Sequence, residues 1–281
     1  MIKMAFMPKK IFQRCLQQIG FFLILLTCIF CYNAPAIAGI LEIETKTSVT
    51  IEGNSLKVGV TATNKGTVPA YNVQVHLILL GEKQSAPVKG QLNKDQSDTV
   101  AFERVLSGSK KGRYPLIVLV DFHDANQYPF SAVSCTTFYF KEDINPDLVC
   151  LGDDTSIEKN GILRFKIKNL GLSSRTIRAT LILPKELSTP RSQMDFQIDP
   201  RAEKMVTFDI TNFSALSGAS YPVFCCFEYD LGDTHYTAVA KVLVKIVKSE
   251  NWFRRTKLFW LGAAILLGVI LVTFQFKRKR S

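Results

Sequence analysis

The sequence predicts an all-β protein carried between two segments of a different kind. Three observations lead there. Apolar and polar residues alternate with a period of two along many short runs. Turn-forming residues interrupt those runs at Glu52-Gly53-Asn54, Asn64-Lys65-Gly66, Asp124-Ala125-Asn126, Glu158-Lys159-Asn160-Gly161 and Asp230-Leu231-Gly232-Asp233. No stretch between residues 39 and 249 carries a helical period. Roughly seven short strands in about 100 residues is the pattern of an immunoglobulin-like β-sandwich.

That run of strands occurs twice. Asn64-Lys65-Gly66 recurs as Asn169-Leu170-Gly171. Ahead of it, Val58, Val60 and Ala62 alternate with polar residues, as do Leu163, Phe165 and Ile167. Behind it, Val73, Val75, Leu77 and Leu79 correspond to Ile177, Ala179, Leu181 and Leu183. Further on, Val100 and Phe102 match Val206 and Phe208, Tyr114-Pro115 matches Tyr221-Pro222, and Ser131-Ala132-Val133 matches Thr237-Ala238-Val239. The offset stays between 104 and 107 throughout, a constancy that marks an internal repeat. We expect two tandem sandwiches over residues 39–142 and 143–249. The charged, proline-ended stretch Lys141-Glu142-Asp143-Ile144-Asn145-Pro146 lies between them. It is too short for free domain motion and suggests an end-to-end rod.

The two ends carry targeting and anchoring patterns. Residues 1–38 hold Lys3, Lys9, Lys10 and Arg14, then an apolar run from Ile19 to about Tyr32, then Ala34-Pro35-Ala36-Ile37-Ala38. A basic region, an apolar core and a small-x-small site are the layout of a secretory signal peptide. Residues 258–276 carry no charge and are followed by the basic tail 277–281. That length suits a helix crossing a bilayer about 30 Å thick. Residues 250–257 form a juxtamembrane linker with Trp252, Arg254, Arg255 and Lys257, and Trp260 lies just inside the apolar run. The expected topology is single-pass: the body outside the cytoplasm, at the periplasm or cell surface, and the C-terminus inside.

The chain has a formal net charge of +11, which would suggest a nucleic-acid partner. The excess lies in the end segments. Residues 39–249 hold 24 cations and 23 acids, and a near-neutral body without a basic stripe excludes that class of partner. Bilayer contact through the C-terminal helix remains.

Alternating apolar residues, Asn-x-Gly and a second alternating run resemble the CARDB-type bacterial immunoglobulin-like repeats. In the first copy the pattern reads Val58-Gly59-Val60-Thr61-Ala62-Thr63-Asn64-Lys65-Gly66, then Ala70-Tyr71-Asn72-Val73. In the second it reads Phe165-Lys166-Ile167-Lys168-Asn169-Leu170-Gly171, then Ile177 to Pro184, with Ser174 and Thr176 near the positions of Ala70 and Asn72. The resemblance implies a spacer, adhesin or membrane-anchored envelope domain. We read Asn64, Gly66, Asn169 and Gly171 as structural turn residues, placed there because both types tolerate positive φ.

Chemistry-bearing residues are sparse. The chain has three histidines, His76, His123 and His235, and no nucleophile elbow, zinc-protease motif or phosphate loop. His76 reads as surface-facing. The best candidate site is the hairpin after each Tyr-Pro strand, with Asp121, His123, Asp124 and Asn126 in one copy and Glu228, Asp230, Asp233 and His235 in the other. Asp230 and Asp233 are the weak Ca²⁺ candidates; turn formation explains the same residues. No cofactor and no catalysis are expected.

Four cysteines follow the export segment: Cys135, Cys150, Cys225 and Cys226. Neighbours on one strand point to opposite faces, and Cys225 shares the parity of Val223 and Phe227. Cys150 with Cys225 or Cys226 is the candidate disulfide, Cys225 being the choice for the inward face; a buried thiol at Cys225 is the equal alternative. Asn212-Phe213-Ser214 matches a glycosylation sequon that matters only in a eukaryotic secretory pathway. These features describe a non-catalytic, membrane-anchored scaffold that presents two sandwiches to an envelope protein or surface polymer. The alternative is an accessory subunit of a transporter or envelope-biogenesis complex.

Overall fold

A computed structural model describes residues 39–248 together with Thr256, Phe259, Trp260 and Gly262. The expected signal peptide lies outside the described residues, as does nearly all of the apolar segment 258–276. Among the described residues no helix is long and apolar enough to cross a membrane.

The chain is all-β. The strands before the linker are β1 (Ile43–Glu52), β2 (Ser55–Asn64), β3 (Ala70–Leu79), β4 (Glu82–Ser85), β5 (Lys89–Leu92), β6 (Ser97–Val105), β7 (Lys111–His123) and β8 (Pro129–Phe140). Those after it are β9 (Leu148–Gly152), β10 (Thr155–Ile157), β11 (Asn160–Asn169), β12 (Arg175–Ile182), β13 (Leu187–Ser188), β14 (Gln193–Ile198), β15 (Glu203–Asn212), β16 (Ser220–Leu231) and β17 (Thr234–Ile246).

Two hydrophobic cores form between facing sheets, and period-two alternation supplies both. Val58, Val60 and Ala62 of β2 meet Val73, Val75, Leu77 and Leu79 of β3 in the first core. Leu163, Phe165 and Ile167 of β11 meet Ile177, Ala179 and Leu181 of β12 in the second. A three-stranded sheet, β1-β2-β6, covers the first core, and a four-stranded sheet, β13-β15-β11-β9, covers the second. The opposite wall of both cores is one ten-stranded sheet with the path β14-β12-β16-β17-β7-β3-β4.

That shared sheet overturns the expected rod. Both sandwiches belong to one unit that begins at Leu41, and they lie side by side. β17 pairs parallel with β7 through Thr234–Lys111 and His235–Gly112, and β17 is antiparallel to β16. The two Tyr-Pro strands, β7 and β16, therefore run in opposite directions, and the second sandwich is folded back along the first. Lys141, at φ 64°, turns the chain just after β8. Gly112, at φ +132°, admits the close approach: a Cβ there would overlap the His235 carbonyl oxygen.

The fold-back brings both ends of the body together. Ile43 at the start of β1 pairs with Asn64, whose turn leads into β3 beside His123. The β7–β8 hairpin beyond His123 touches the loop after β15 through the Tyr128 hydroxyl, which donates to the Ser214 carbonyl at 3.0 Å. The same loop is tied to the end of β17, where the Gly218 N–H donates to the Ile246 carbonyl at 2.8 Å.

Candidate functional site

The side chains with chemistry gather along the seam between the sandwiches. At its centre, β8 lies against β16. β16 is apolar on both faces: Val223, Cys225 and Phe227 fill the second core. Phe224 and Cys226 are buried yet belong to neither core. Cys226 meets Cys135 of β8 with the sulfurs 3.7 Å apart.

All four described cysteines are free thiols. Cys225 faces the core as expected, and Cys150 packs against the same core. Burial pushes the Cys150 thiol up to about 12 and the Cys225 thiol well above its ordinary value. The Cys135 thiol and burial do the same for Cys226. Protonated thiols of this kind are poor nucleophiles.

A buried carboxylate clamps the end of the seam nearest the start of β1 and the end of β17. Glu186, 1% exposed, sits in the turn Pro184-Lys185-Glu186 between β12 and β13 and reaches across to β8. Its two oxygens accept from the Ser131 N–H and the Ser131 hydroxyl, each at 2.6 Å. The Ser131 hydroxyl in turn accepts from the Lys185 N–H at 2.8 Å. The Glu186 carbonyl accepts from the Phe213 and Ser214 N–H groups. One residue thus ties the first sandwich, the β12–β13 turn and the β15–β16 loop.

Beside the clamp lies a network that the sequence did not reveal. His76 is buried at 4% exposure, not surface-facing: it lies on the face of β3 opposite Val73, Val75 and Leu77, and Ser85 and Asp121 cover it there, with Lys185 of the second sandwich on Asp121. A bulge interrupts β3 between Tyr71 and Gln74. Asn72, at φ 52°, supplies the bulge geometry. The His76 Nδ1 is 2.8 Å from the Ser85 Oγ, and its Nε2 is 2.8 Å from the Asp121 Oδ2. An ionised carboxylate only accepts, so Nε2 carries the proton and Nδ1 accepts from Ser85. The Lys185 ammonium also reaches Asp121 Oδ2, at 2.5 Å.

Serine, neutral imidazole and carboxylate in a line are the components of nucleophilic catalysis. Two features here oppose that use. Burial lowers the His76 pKa, and the Lys83 and Lys185 charges lower it further against the pull of Asp121. General-base catalysis must form an imidazolium, and those same effects disfavour it. Asp121 is also shared with Lys185, which neutralises the charge that would stabilise that cation. The network reads as a second clamp.

A cleft of about 440 Å³ opens next to it, lined by Asn72, Gln74, Asp121, His123, Phe130 and Lys185 among others. Asp121 Oδ1 and His123 Nδ1 are buried there without a hydrogen-bond partner.

At the opposite end of the seam, His235 stacks on Tyr114 with ring centroids 4.4 Å apart. Its Nδ1 meets Asp230 at 2.7 Å and its Nε2 meets Glu228 at 3.2 Å. Burial works against protonation of His235, but the hydrogen bonds to Glu228 and Asp230 outweigh it and raise the pKa. Asp230 also pairs with Lys110 of the first sandwich at 2.7 Å. Thr237 donates to the Arg113 carbonyl at 2.8 Å. Burial raises the Asp230 pKa, but Lys110 and His235 together hold it below the ordinary carboxylate value.

The Ca²⁺ candidates are therefore not brought into one oxygen cage. Both Asp230 oxygens face cationic or imidazole partners, and Asp233 meets the Thr234 hydroxyl. Among the described residues no cluster of three or more histidine, cysteine, aspartate or glutamate side chains is arranged to hold a metal.

The turn residues act by a different mechanism from the expected one. None of Asn64, Gly66, Asn169 and Gly171 has positive φ. Asn64 is fully buried. Its Oδ1 accepts from the Gly66 N–H at 2.9 Å, and its Nδ2 donates to the Val68 and Leu92 carbonyls. Asn169 repeats this with Gly171, Ser173 and Asp199. These are side-chain-closed turns sealed into the core. Gly171 leaves room for this turn, since a Cβ there would press on Asn169 Oδ1 at 3.0 Å.

Glu186, Ser131, Ser85, Lys185, Gly112 and Cys135 were not singled out from sequence as site residues. The one legible trace was the unbroken run Val223-Phe224-Cys225-Cys226-Phe227, since a strand apolar at every position is covered on both faces.

Residues 39–125 match the family model CARDB, an immunoglobulin-like bacterial domain. No curated protein matches the chain in sequence. Among solved structures, the native conformation of the Escherichia coli alpha-2-macroglobulin aligns at 10% identity and a TM-score of 0.30, over 73% of this chain and 17% of that one. A red sea bream transglutaminase aligns at 12% identity and a TM-score of 0.27, over 72% of this chain and 31% of that one. The chain thus spans well under half the length of either protein.

Proposed function

We propose that this chain is an exported, membrane-tethered and non-catalytic presenting protein. Its body is one sandwich module used twice, with the second copy inverted against the first. The observation that carries this reading is the welded seam. A shared sheet, the Glu186–Ser131 clamp and the Lys110–Asp230–His235 network fix two sandwiches as one rigid platform. A platform of this kind holds binding surfaces in a set geometry, and rigidity lowers the ordering cost of engaging a partner. An envelope protein or surface polymer is the partner class we assign.

Two measurements test it. The full chain should resist alkaline carbonate extraction from membranes, and protease added outside intact cells should remove the body. Extraction of the chain, or a body protected from external protease, would overturn the tethered topology. The Ser85–His76–Asp121 line is the feature on which a competing hydrolytic reading would rest. A fluorophosphonate probe that labels Ser85 in the native protein would establish that reading in place of ours.

A further inference from the structure

The end of the body where the chain leaves β17 carries apolar side chains with no protein cover. Phe213 is 79% exposed, and Leu216, Tyr128 and Val247 are also solvent-facing. Exposure of this kind on a mobile loop would mean little, but this loop is held. The Phe213 and Ser214 N–H groups donate to the Glu186 carbonyl at 2.9 and 3.1 Å. The Ala215 N–H donates to Asn212 Oδ1 at 2.7 Å, and the Leu216 N–H to the Tyr221 hydroxyl at 3.0 Å. Ala215 is buried beneath them. The backbone turns inward at Ala215 and presents Phe213 and Leu216 outward on a fixed base.

The position of this loop relative to the chain exit names its occupant. Gly218 and Ala219 bond to Ile246, the last residue of β17. After Lys248, residues 249–257 separate the body from the apolar segment 258–276. Nine residues reach at most about 30 Å when fully extended. This end of the body therefore stays close to any bilayer that holds that segment. Lys159 and Lys248 border the loop, as do the acids Glu158 and, beside Tyr128, Asp124. Aromatic residues at the tip with lysines at the rim suit the headgroup region.

We infer that the β15–β16 loop is a bilayer-contact wedge, with Phe213 seated in the interfacial region and Leu216, Tyr128 and Val247 around it. The wedge sets the angle at which the platform stands on the membrane. The inference rests on the tether proposed above, and the experiment separates the two.

The test uses the full chain in vesicles of phosphatidylcholine and phosphatidylglycerol with brominated acyl chains, which quench nearby tryptophan. Phe213→Trp places a reporter in the wedge. Leu172→Trp places one at the far end of the second sandwich, where Leu172 is 82% exposed. Native Trp252 and Trp260 report on the anchor. The expected result is a blue-shifted, quenched added emission for Phe213→Trp and an unshifted, unquenched one for Leu172→Trp. An unquenched Phe213→Trp signal alongside quenched native tryptophans would overturn the wedge while leaving the tether intact. Native tryptophans that escape quenching would overturn both.

Discussion

Removal of the Glu186 carboxylate should loosen the two sandwiches from each other. Glu186 makes two hydrogen bonds to Ser131 across the seam, both at 2.6 Å. Each has a charged acceptor in a buried setting, a class that contributes about 1.5–3 kcal/mol. Glu186→Ala deletes both and leaves the buried Ser131 N–H without a partner. We expect a loss of about 3 kcal/mol or more. Ser131→Ala deletes the hydroxyl, which serves Glu186 and the Lys185 N–H together, and should cost about 2 kcal/mol. The double variant loses the shared hydroxyl–carboxylate bond once. Its cost should fall short of the sum by about 1.5 kcal/mol, well beyond the scatter of about 0.5 kcal/mol seen for independent sites. Urea unfolding of the full chain in detergent, followed by near-ultraviolet circular dichroism, measures all three. A seam that holds the cores together also predicts two resolved transitions in Glu186→Ala where the parent shows one. Additive costs, or a Glu186→Ala variant as stable as the parent, would refute the clamp.

Gly112→Ala forces a Cβ against the His235 carbonyl at φ +132° and should destabilise by about 2 kcal/mol or more; a thermal melt checks it, while Gly90→Ala, with open space around it, should stay near parent stability. The raised His235 pKa means stability from that group is fully present below its unfolded value of 6.5 and lost as pH rises through the folded value; urea midpoints measured across that range should fall with pH, and His235→Gln should flatten that part of the profile. His76 acts in the opposite sense: its pKa is lowered, so its stabilisation is present above 6.5 and lost as pH falls, and His76→Gln should remove that acid-side slope. Asn169→Ala leaves the Gly171 N–H and the Ser173 and Asp199 carbonyls short of a partner and should cost about 2–3 kcal/mol in urea, whereas Asn160→Ala, at the exposed start of β11, should cost under about 0.5 kcal/mol.

The strands were legible because their signal is local. Val58, Val60 and Ala62 alternate in sequence and point inward in the fold, since side-chain direction in a strand follows parity alone. The same rule placed Cys225 in the second core. The importance of Asn64 and Asn169 was also readable, but its cause was not. The two positions were read as φ-tolerant turn residues, whereas their amides close the turn and cap carbonyls 28 to 30 residues away. Such a contact exists only after distant strands are paired. His76 failed for a related reason. Parity puts it on the face opposite Val75 and Leu77, where it lies, but that face is covered by Ser85 and Asp121 and by Lys185 from the second sandwich, a cover that exists only once the sandwiches are packed.

The fold-back itself follows from surfaces that an end-to-end arrangement would leave wet. Phe224 and Cys226 lie on the face of β16 turned away from the second core, and Val133 on β8 is buried outside the first. Full burial of an apolar side chain of Val or Phe size contributes about 1.5–3 kcal/mol. A rod would forgo several kcal/mol at these positions alone, besides the Glu186–Ser131 and Lys110–Asp230 contacts. Against that stands only the ordering of a six-residue linker, Lys141 to Pro146, already restrained by Pro146 and by the Lys141 turn. At about 1–2 kcal/mol per ordered residue, the linker cost is comparable to the apolar gain. The polar contacts then decide the balance, and they are the ones that sequence periodicity cannot see. The decisive residue is Glu186. An apolar residue there would keep the β12–β13 turn but leave the Ser131 N–H and hydroxyl without their acceptor, so the platform depends on an acid at this one position.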